Sequence, residues 1–402
     1  MAYVPVPLAR VQLGRTLPVD IRAPDGRLLL RRGQTLQSET HREMLATHQA
    51  CMTQTDAQAW ERALARQMRS MRQQGVDMAH IASAPMPAQI LDSDFLECYT
   101  VQGGWLDFQE TLCNLLYQGA AASNPLARLE GIEQAVLDRL MQDPDEALFV
   151  LFQALADLTL GYCATHALLS GVVVALTAGK LSLPQDQQSL LLRAALVMNI
   201  GMARPQDNLA RQRQPLSPAQ RELVTTHAPG SVEILRGFGA HDPVLLDMVH
   251  WHHTPQAHAG DAEQQMGVRL LHLADTLVAK LAPRTSRPAM SALGAARSLV
   301  LEATEQTRTQ RVAMASILGF YPPGTYVQLA NAEVAVVIAR GERATTPHVA
   351  SLIDAKGMPL DSYLYRDTRQ ADCVVRAPLP ANQVKVRVTL EKTQRLRLQH
   401  GV

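Results

Sequence analysis

Four histidines and one aspartate, His166, His227, His252, His253 and Asp275, are the residues in this chain whose types and spacing suit metal chemistry. Each falls in an apolar-patterned helical stretch. Leu155, Leu158, Tyr162, His166 and Val173 follow helical steps, as do Leu245, Met248, Val249 and His252, and Val268, Leu271, Asp275 and Val278. A single imidazole on such a stripe reads as a satisfied core histidine. Four with a carboxylate point further, because a buried Asp needs a cation or several donors, and neutral imidazole is the commonest protein ligand for first-row metals. Three imidazoles and a carboxylate suffice for a mononuclear zinc or iron site. The same five side chains packed without a metal are the alternative, and the sequence leaves both open. His250, His258 and His272 read as surface or helix-flank residues, and Tyr162 as core.

Composition bounds what surrounds these residues. A chain of 402 residues allows two or three domains, and 47% hydrophobic with 19% charged residues is ordinary for a globular protein. With 38 Lys and Arg against 37 Asp and Glu, the net charge of +1 supplies no global attraction to nucleic acid or to a membrane. The one basic run, residues 62–72, reads as the solvated face of a helix. Cys51, Cys98, Cys113, Cys163 and Cys373 are odd in number and form no C-x-x-C pair, which fits a reducing compartment. The reading places the protein in the cytoplasm, with no signal segment, no uninterrupted apolar run of membrane-spanning length and no membrane insertion.

The elements that must position the five residues follow in order. Residues 11–32 alternate around Pro24-Asp25-Gly26, turn chemistry between two strands. Residues 38–48 read as a short helix and 56–72 as a longer polar one, with Pro85 and Pro87 marking a linker. Residues 91–145 are helical in pattern, broken at Pro125 and Asp143-Pro144. Ser217-Pro218-Ala219-Gln220 is a capping box, Asp242-Pro243 opens a helix, and His227-Ala228-Pro229 puts a histidine at a helix end. Beyond Gly319 the β-formers Val327, Leu329, Val334, Val336, Val337 and Ile338 appear, then the turn Asp354-Ala355-Lys356-Gly357 and the alternating run 384–390. The expected fold is mainly α. A β-hairpin and helix domain spans 1–60, a helical linker region 61–144, a helical bundle 145–317, and a β-containing extension 318–402.

Several motifs resemble the HD-GYP family, bacterial phosphodiesterases of the HD superfamily that hydrolyse cyclic di-GMP. They are Tyr162-x-x-x-His166, a helix ending in Met198-Asn199-Ile200-Gly201-Met202, His227-x-Pro229-x-x-x-x-Ile234-Leu235, His252-His253, Leu273-Ala274-Asp275, and Leu318-Gly319-Phe320-Tyr321-Pro322-Pro323-Gly324-Thr325. They cover residues 145–340, and the resemblance implies an HD-type bundle over 145–317.

The departures bear on chemistry. The family's His-Asp-x-Gly-Lys reads Met198-Asn199-Ile200-Gly201-Met202 here, and the segment after His252-His253 is Thr254-Pro255-Gln256-Ala257-His258-Ala259-Gly260, without the GYP loop. In the family the aspartate bridges two metal ions and the water between them. Asn199 is neutral and cannot offset a second cation. Met198 offers a soft thioether in place of an imidazole, and Met202 replaces a lysine that contacts substrate phosphate. The resemblance therefore implies a degenerate module, metal-bound at most through His166, His227, His252, His253 and Asp275 to one divalent Fe, Mn or Zn. Such a module would bind nucleotide or a signalling partner without hydrolysing it. Cyclic di-GMP or diguanylate cyclase domains are the implied partners, with a homodimer as a further expectation and no nucleic acid. An active phosphodiesterase with an unusual ligand set is the alternative reading. Kinship to the metal-free HDOD group is a third, against which His227, His252, His253 and Asp275 argue.

Overall fold

Turn chemistry and apolar spacing divide the chain into two compact units, Met1–Tyr99 and Thr100–Val402. The computed structural model describes residues 3–73, 76–90 and 101–402. In the first unit, β1 (Tyr3–Pro5), β2 (Ile21–Arg22), β3 (Leu28–Leu30) and β4 (Cys51–Thr53) form an antiparallel sheet in the order β1-β4-β2-β3. The β2–β3 turn is the expected one at Pro24-Asp25-Gly26. Gly26 takes φ +87°, which a side chain disfavours, and Asp25 Oδ1 accepts from Arg27 N at 2.9 Å. β1 and β4 are strands that the sequence pattern did not mark.

Among the described residues this unit also holds the helices α1 (Glu39–Thr47), N-capped by Ser38, α2 (Gln54–Gln73) and α3 (Met78–Ala82). Trp60 on α2 is fully buried beside Leu17, Ile21 and Leu36. The supposed linker at Pro85 and Pro87 is part of this core. Ala84, Met86 and Ile90 are buried, Met86 N donates to Arg10 O at 2.9 Å, and Trp60 Nε1 donates to Pro87 O at 2.7 Å. Prolines here set an extended path whose intervening side chains are apolar. Cys98 and the side chains of Arg62, Arg66, Arg69 and Arg72 lie outside the described residues, as does the start of the expected 91–145 helical stretch.

The second unit is helical to Leu318: α4 (Trp105–Gln118), α5 (Pro125–Gln142), α6 (Pro144–Leu155), α7 (Tyr162–Lys180), α8 (Gln185–Val197), α9 (Ala203–Arg211), α10 (Pro218–Gly237), α11 (Pro243–Trp251), α12 (Ala262–Leu281), α13 (Ala292–Leu301) and α14 (Arg308–Leu318). Residues 145–317 contain no strand. The caps act as their residue types dictate. Asp143 accepts from Asp145 N and Glu146 N, Asp242 from Val244 N and Leu245 N, and Ser217 with Gln220 closes a capping box.

Two sequence expectations about these helices fail. The stripe from Leu155 to His166 is not one helix, because α6 ends at Leu155 and Gly161, at φ +97°, breaks the chain before α7 begins. Nor does Pro229 end a helix. α10 runs through it, losing one ladder bond to the Thr225 carbonyl while burying Ala228, Val232 and Leu235, and His227 is therefore interior to the helix.

α7 is the axis of this unit, packed against α4, α6, α8, α9, α12 and α14. It also corrects the expectation that no apolar run reaches membrane-spanning length. Its 19 residues have mean hydropathy 1.5 over an 18-residue window, of which 89% is buried inside the protein. Each fully buried Val or Leu contributes about 1.5–3 kcal/mol, so the apolar surface of α7 is spent on its neighbours. Gly171 permits the closest approach, since a Cβ there would lie 2.6 Å from Leu192 Cδ1 on α8.

After α14, β5 (Tyr326–Leu329), β6 (Val334–Ala339), β7 (His348–Ile353), β8 (Pro359–Asp367) and β9 (Val375–Leu379) form an antiparallel sheet ordered β8-β7-β6-β5-β9. Asp354–Gly357 is the β7–β8 turn, with Gly357 at φ +83°. The alternating run 384–390 is not a strand. Val384, Val386 and Val388 pack on the core from an unpaired extended segment, and Leu390 opens α15 (Leu390–His400). Alternation reports which side faces inward; it does not supply a ladder partner. Arg397 on α15 clamps Asp143 at 2.8 and 3.0 Å, and Arg340 N after β6 donates to Asp145 Oδ2 at 2.9 Å, tying the sheet to the start of α6. The protein is thus mainly α with two small antiparallel sheets.

Candidate metal centre

α7, α10, α11 and α12 bring all five singled-out residues into one cluster, arranged in two layers. The inner layer is His227, His252 and His253, each offering a ring nitrogen within 4.8 Å of the other two. His227 sits inside α10 and His252 caps α11, both buried, whereas the His253 side chain is 40% exposed and gives the cluster its access to solvent.

The ring orientations follow from what lies behind each imidazole. His227 Nδ1 is 2.8 Å from Val224 O and His252 Nδ1 is 2.7 Å from Val249 O. A carbonyl only accepts, so Nδ1 carries the proton in both rings and Nε2 keeps its lone pair. His252 Nε2 is buried with no hydrogen-bond partner, and His227 Nε2 stands 3.3 Å from His253 Nε2. Two nitrogens bound to one tetrahedral zinc at about 2.0–2.1 Å are separated by roughly 3.3 Å. These residues fit a divalent ion on three imidazoles.

Burial keeps the rings ready for it. Desolvation lowers His227 to about 4 and His252 to about 3, and it lowers His253 as well, so all three are neutral at neutral pH. Neutral imidazole is the form that binds a metal.

His166 and Asp275 form the outer layer. His166 Nε2 donates to Asp275 Oδ1 at 2.8 Å, and Asp275 Oδ2 faces His253 Nδ1 at 3.9 Å. Burial pushes the Asp275 carboxyl up, but the His166 hydrogen bond, with His252 and His253 nearby, overrides it and holds the carboxyl well below its usual range. The carboxylate thus stands behind His253, where outer partners of metal-bound histidines stand. Tyr162 Oη is 3.5 Å from His166 Nδ1, their rings stacked at 5.4 Å, and Arg284 donates to that hydroxyl at 3.2 Å.

The turn Met198–Met202 packs against α10. Ser231 Oγ donates to Met198 O at 2.9 Å and accepts from Gly201 N at 3.0 Å. Gly201 is required there, because a Cβ would meet His227 O at 2.7 Å and Ser231 N at 2.9 Å. Met198 and Met202 are buried. Asn199 is 2% exposed, and neither its Oδ1 nor its Nδ2 has a hydrogen-bond partner.

The flanking histidines differ from expectation in one case. His258 is buried, with Nε2 3.6 Å from Asp247 and Trp251 against it, because Gly260 folds its segment back so that its N–H points to His258 Nδ1. His250 and His272 are half-buried, and His272 Nδ1 donates to His252 O at 2.7 Å. Sequence reasoning passed over Arg284. It lies just past the end of α12, has no ion-pair partner among the described residues, and its Nε is buried without one. No periodicity marks a residue in such a loop.

No family model matches the chain, and no curated protein does. Among solved structures, one similar to this chain is Bd1817, a HDG"Y"P protein from Bdellovibrio bacteriovorus, at 14% identity and a TM-score of 0.39, covering 79% of this chain and 99% of that one. A likeness that loose assigns neither family nor function.

Proposed function

We propose that the helical body is a degenerate HD-GYP-like module that holds a single divalent ion on His227, His252 and His253 and binds a phosphate-bearing nucleotide without hydrolysing it, in bacterial second-messenger signalling in the cytoplasm. The observation that carries this reading is the meeting of three imidazoles with ligand nitrogens within 4.8 Å of one another, two of them, His227 Nε2 and His253 Nε2, at 3.3 Å, combined with a neutral, buried Asn199 in the motif position of the bridging carboxylate. One ion can be held by three neutral imidazoles. Two ions close together need a bridging negative charge, and an amide has none. Zinc suits the all-nitrogen set best; iron and manganese favour additional oxygen ligands. Arg284, with donors to spare and no carboxylate partner among the described residues, supplies a cation for phosphate. Cyclic di-GMP is the nucleotide the motifs favour, and a diguanylate cyclase domain or a second copy of the chain is the protein partner in this reading.

Metal analysis of the purified protein combined with a hydrolysis assay tests it. The expected result is one ion per chain at most and no cleavage of cyclic di-GMP with added manganese or ferrous iron. Turnover of roughly 1 per second or faster would establish a working phosphodiesterase instead.

A further inference from the structure

The cluster continues outward from the imidazoles through groups that chemistry does not require for holding an ion. Arg284 donates to Tyr162 Oη at 3.2 Å, with its guanidinium carbon 5.5 Å from the ring centre. Tyr162 Oη faces His166 Nδ1 at 3.5 Å, His166 Nε2 donates to Asp275 Oδ1 at 2.8 Å, and Asp275 Oδ2 faces His253 Nδ1 at 3.9 Å. We infer that Tyr162 is a positioning residue of the metal centre: its hydroxyl fixes the tautomer of His166, and His166 in turn aims Asp275 at His253. The inference rests on the proposed single-ion reading and deepens it.

The direction of each hydrogen bond leaves one consistent assignment. A guanidinium only donates, so the Tyr162 oxygen accepts from Arg284 and its own O–H is free to donate. Among the described residues the acceptor it faces is His166 Nδ1, which places the His166 proton on Nε2. An ionised Asp275 only accepts, so it takes that proton in a hydrogen bond and keeps Oδ2 for His253. His253 has one proton when neutral and acceptors on both sides, His227 Nε2 and Asp275 Oδ2. If the proton sits on Nε2, the ring turns a donor toward the ion. With Asp275 held in place the proton belongs on Nδ1, and Nε2 is left as a ligand. Without the Tyr162 hydroxyl, His166 is free to carry its proton on Nδ1, and Asp275 then loses its buried donor. A packing role alone does not predict this, since phenylalanine fills the same space.

The variant is Tyr162→Phe, with Arg284→Met as an upstream second. Zinc affinity is read by chelator competition, the cobalt-substituted absorption spectrum reports coordination, and long-range proton–nitrogen NMR of the metal-free protein reads the His166 tautomer. The expected result is the Nε2–H form in the parent, a mixture in Tyr162→Phe, and zinc affinity lower by about tenfold, at the weak end of outer-partner effects, with the melting temperature unchanged. Arg284→Met should shift both readouts the same way by less. Unchanged tautomer and unchanged affinity in Tyr162→Phe would overturn the inference while the parent still binds zinc. A parent that binds no zinc defeats the single-ion reading instead, and the tautomer measurement then decides the role of Tyr162 separately.

Discussion

His227 Nε2 and His253 Nε2 stand 3.3 Å apart although one ring comes from inside α10 and the other from the turn after α11; Val224 O accepts from His227 on its far side, and Asp275 Oδ2 lies 3.9 Å behind His253 Nδ1. Two lone pairs at that distance repel unless a proton or a cation lies between them. The third ring, His252, adds a buried Nε2 with no partner, an orphan that costs on the order of 1–3 kcal/mol if left unmade.

One zinc ion per chain is therefore the expected content after purification without chelator, measured by elemental analysis. His252→Ala removes the buried ligand and should reduce occupancy to a small fraction, because two imidazoles do not hold zinc at micromolar levels. His250→Ala, outside the cluster, should leave occupancy as it was. Equal zinc in His252→Ala and the parent would place the ion elsewhere.

The metal-free protein should lose stability on mild acidification. His227 is lowered to about 4 and His252 to about 3, while an unfolded histidine titrates near 6.5. Between those values the unfolded chain binds protons that the folded chain refuses. Stability is full above about 6.5 and falls as pH drops from there toward 4, by about 1.4 kcal/mol per pH unit for each such histidine. Asp275, held below the usual carboxylate range, adds its loss only in more acid solution. Denaturant titrations of chelator-treated protein at pH 7.0 and roughly 5 measure the slope, and His252→Leu should flatten it. A parent equally stable at both values would contradict the burial assigned to these rings.

How far the sequence reaches depends on the scale of the signal. Caps such as Ser217 and Asp242 act within a turn of themselves and were legible one residue at a time, whereas Asp143, read only as a break, proves to cap α6. The inward faces of His252 and Asp275 were legible from helical spacing, and the fold brings them together with His166, His227 and the partly exposed His253. Spacing does not say which ring nitrogen points where. The division into three inner imidazoles and an outer His166–Asp275 pair is fixed by carbonyls at Val224 and Val249, which every helix has and no motif singles out. The misplaced features share a cause as well. Pro229 and Gly161 act on the backbone in opposite senses from what composition suggests, because burial on α10 outweighs one lost hydrogen bond, whereas nothing outweighs a positive φ at Gly161.

Gly201 is the position at which the smallest change should do the most. A methyl group there would lie 2.7 Å from His227 O and 2.9 Å from Ser231 N, both backbone atoms of α10 that cannot rotate aside. Gly201→Ala should destabilise the protein by about 1–3 kcal/mol, as overpacking does, and should weaken zinc binding by displacing His227. Gly230→Ala on the same helix, where a Cβ meets nothing within 4 Å, is the matched control. Thermal unfolding with and without zinc separates the two effects. A Gly201→Ala protein that melts and binds zinc like the parent would show that the turn is not seated on α10.

Placing a carboxylate at position 199 tests whether the cluster is a metal site limited to one ion. Met198 is fully buried, and Asn199 is 2% exposed with both amide atoms unpartnered. Changing Met198→His and Asn199→Asp together adds an imidazole and a carboxylate at that turn. A buried carboxylate without a partner is unfavourable by several kcal/mol, so the double variant should be less stable than the parent when metal-free and should regain stability when manganese or ferrous iron is added. The expected metal content rises from one ion per chain toward two, because a bridging negative charge is what the parent lacks. Under the proposed reading, hydrolysis of cyclic di-GMP should lag behind metal binding, since the uncharged Met202 supplies no cation for a substrate phosphate. If the double variant binds no more metal than the parent, Asn199 does not face the cluster, and the two-layer arrangement of His227, His252, His253, Asp275 and His166 must be explained by packing and hydrogen bonding alone.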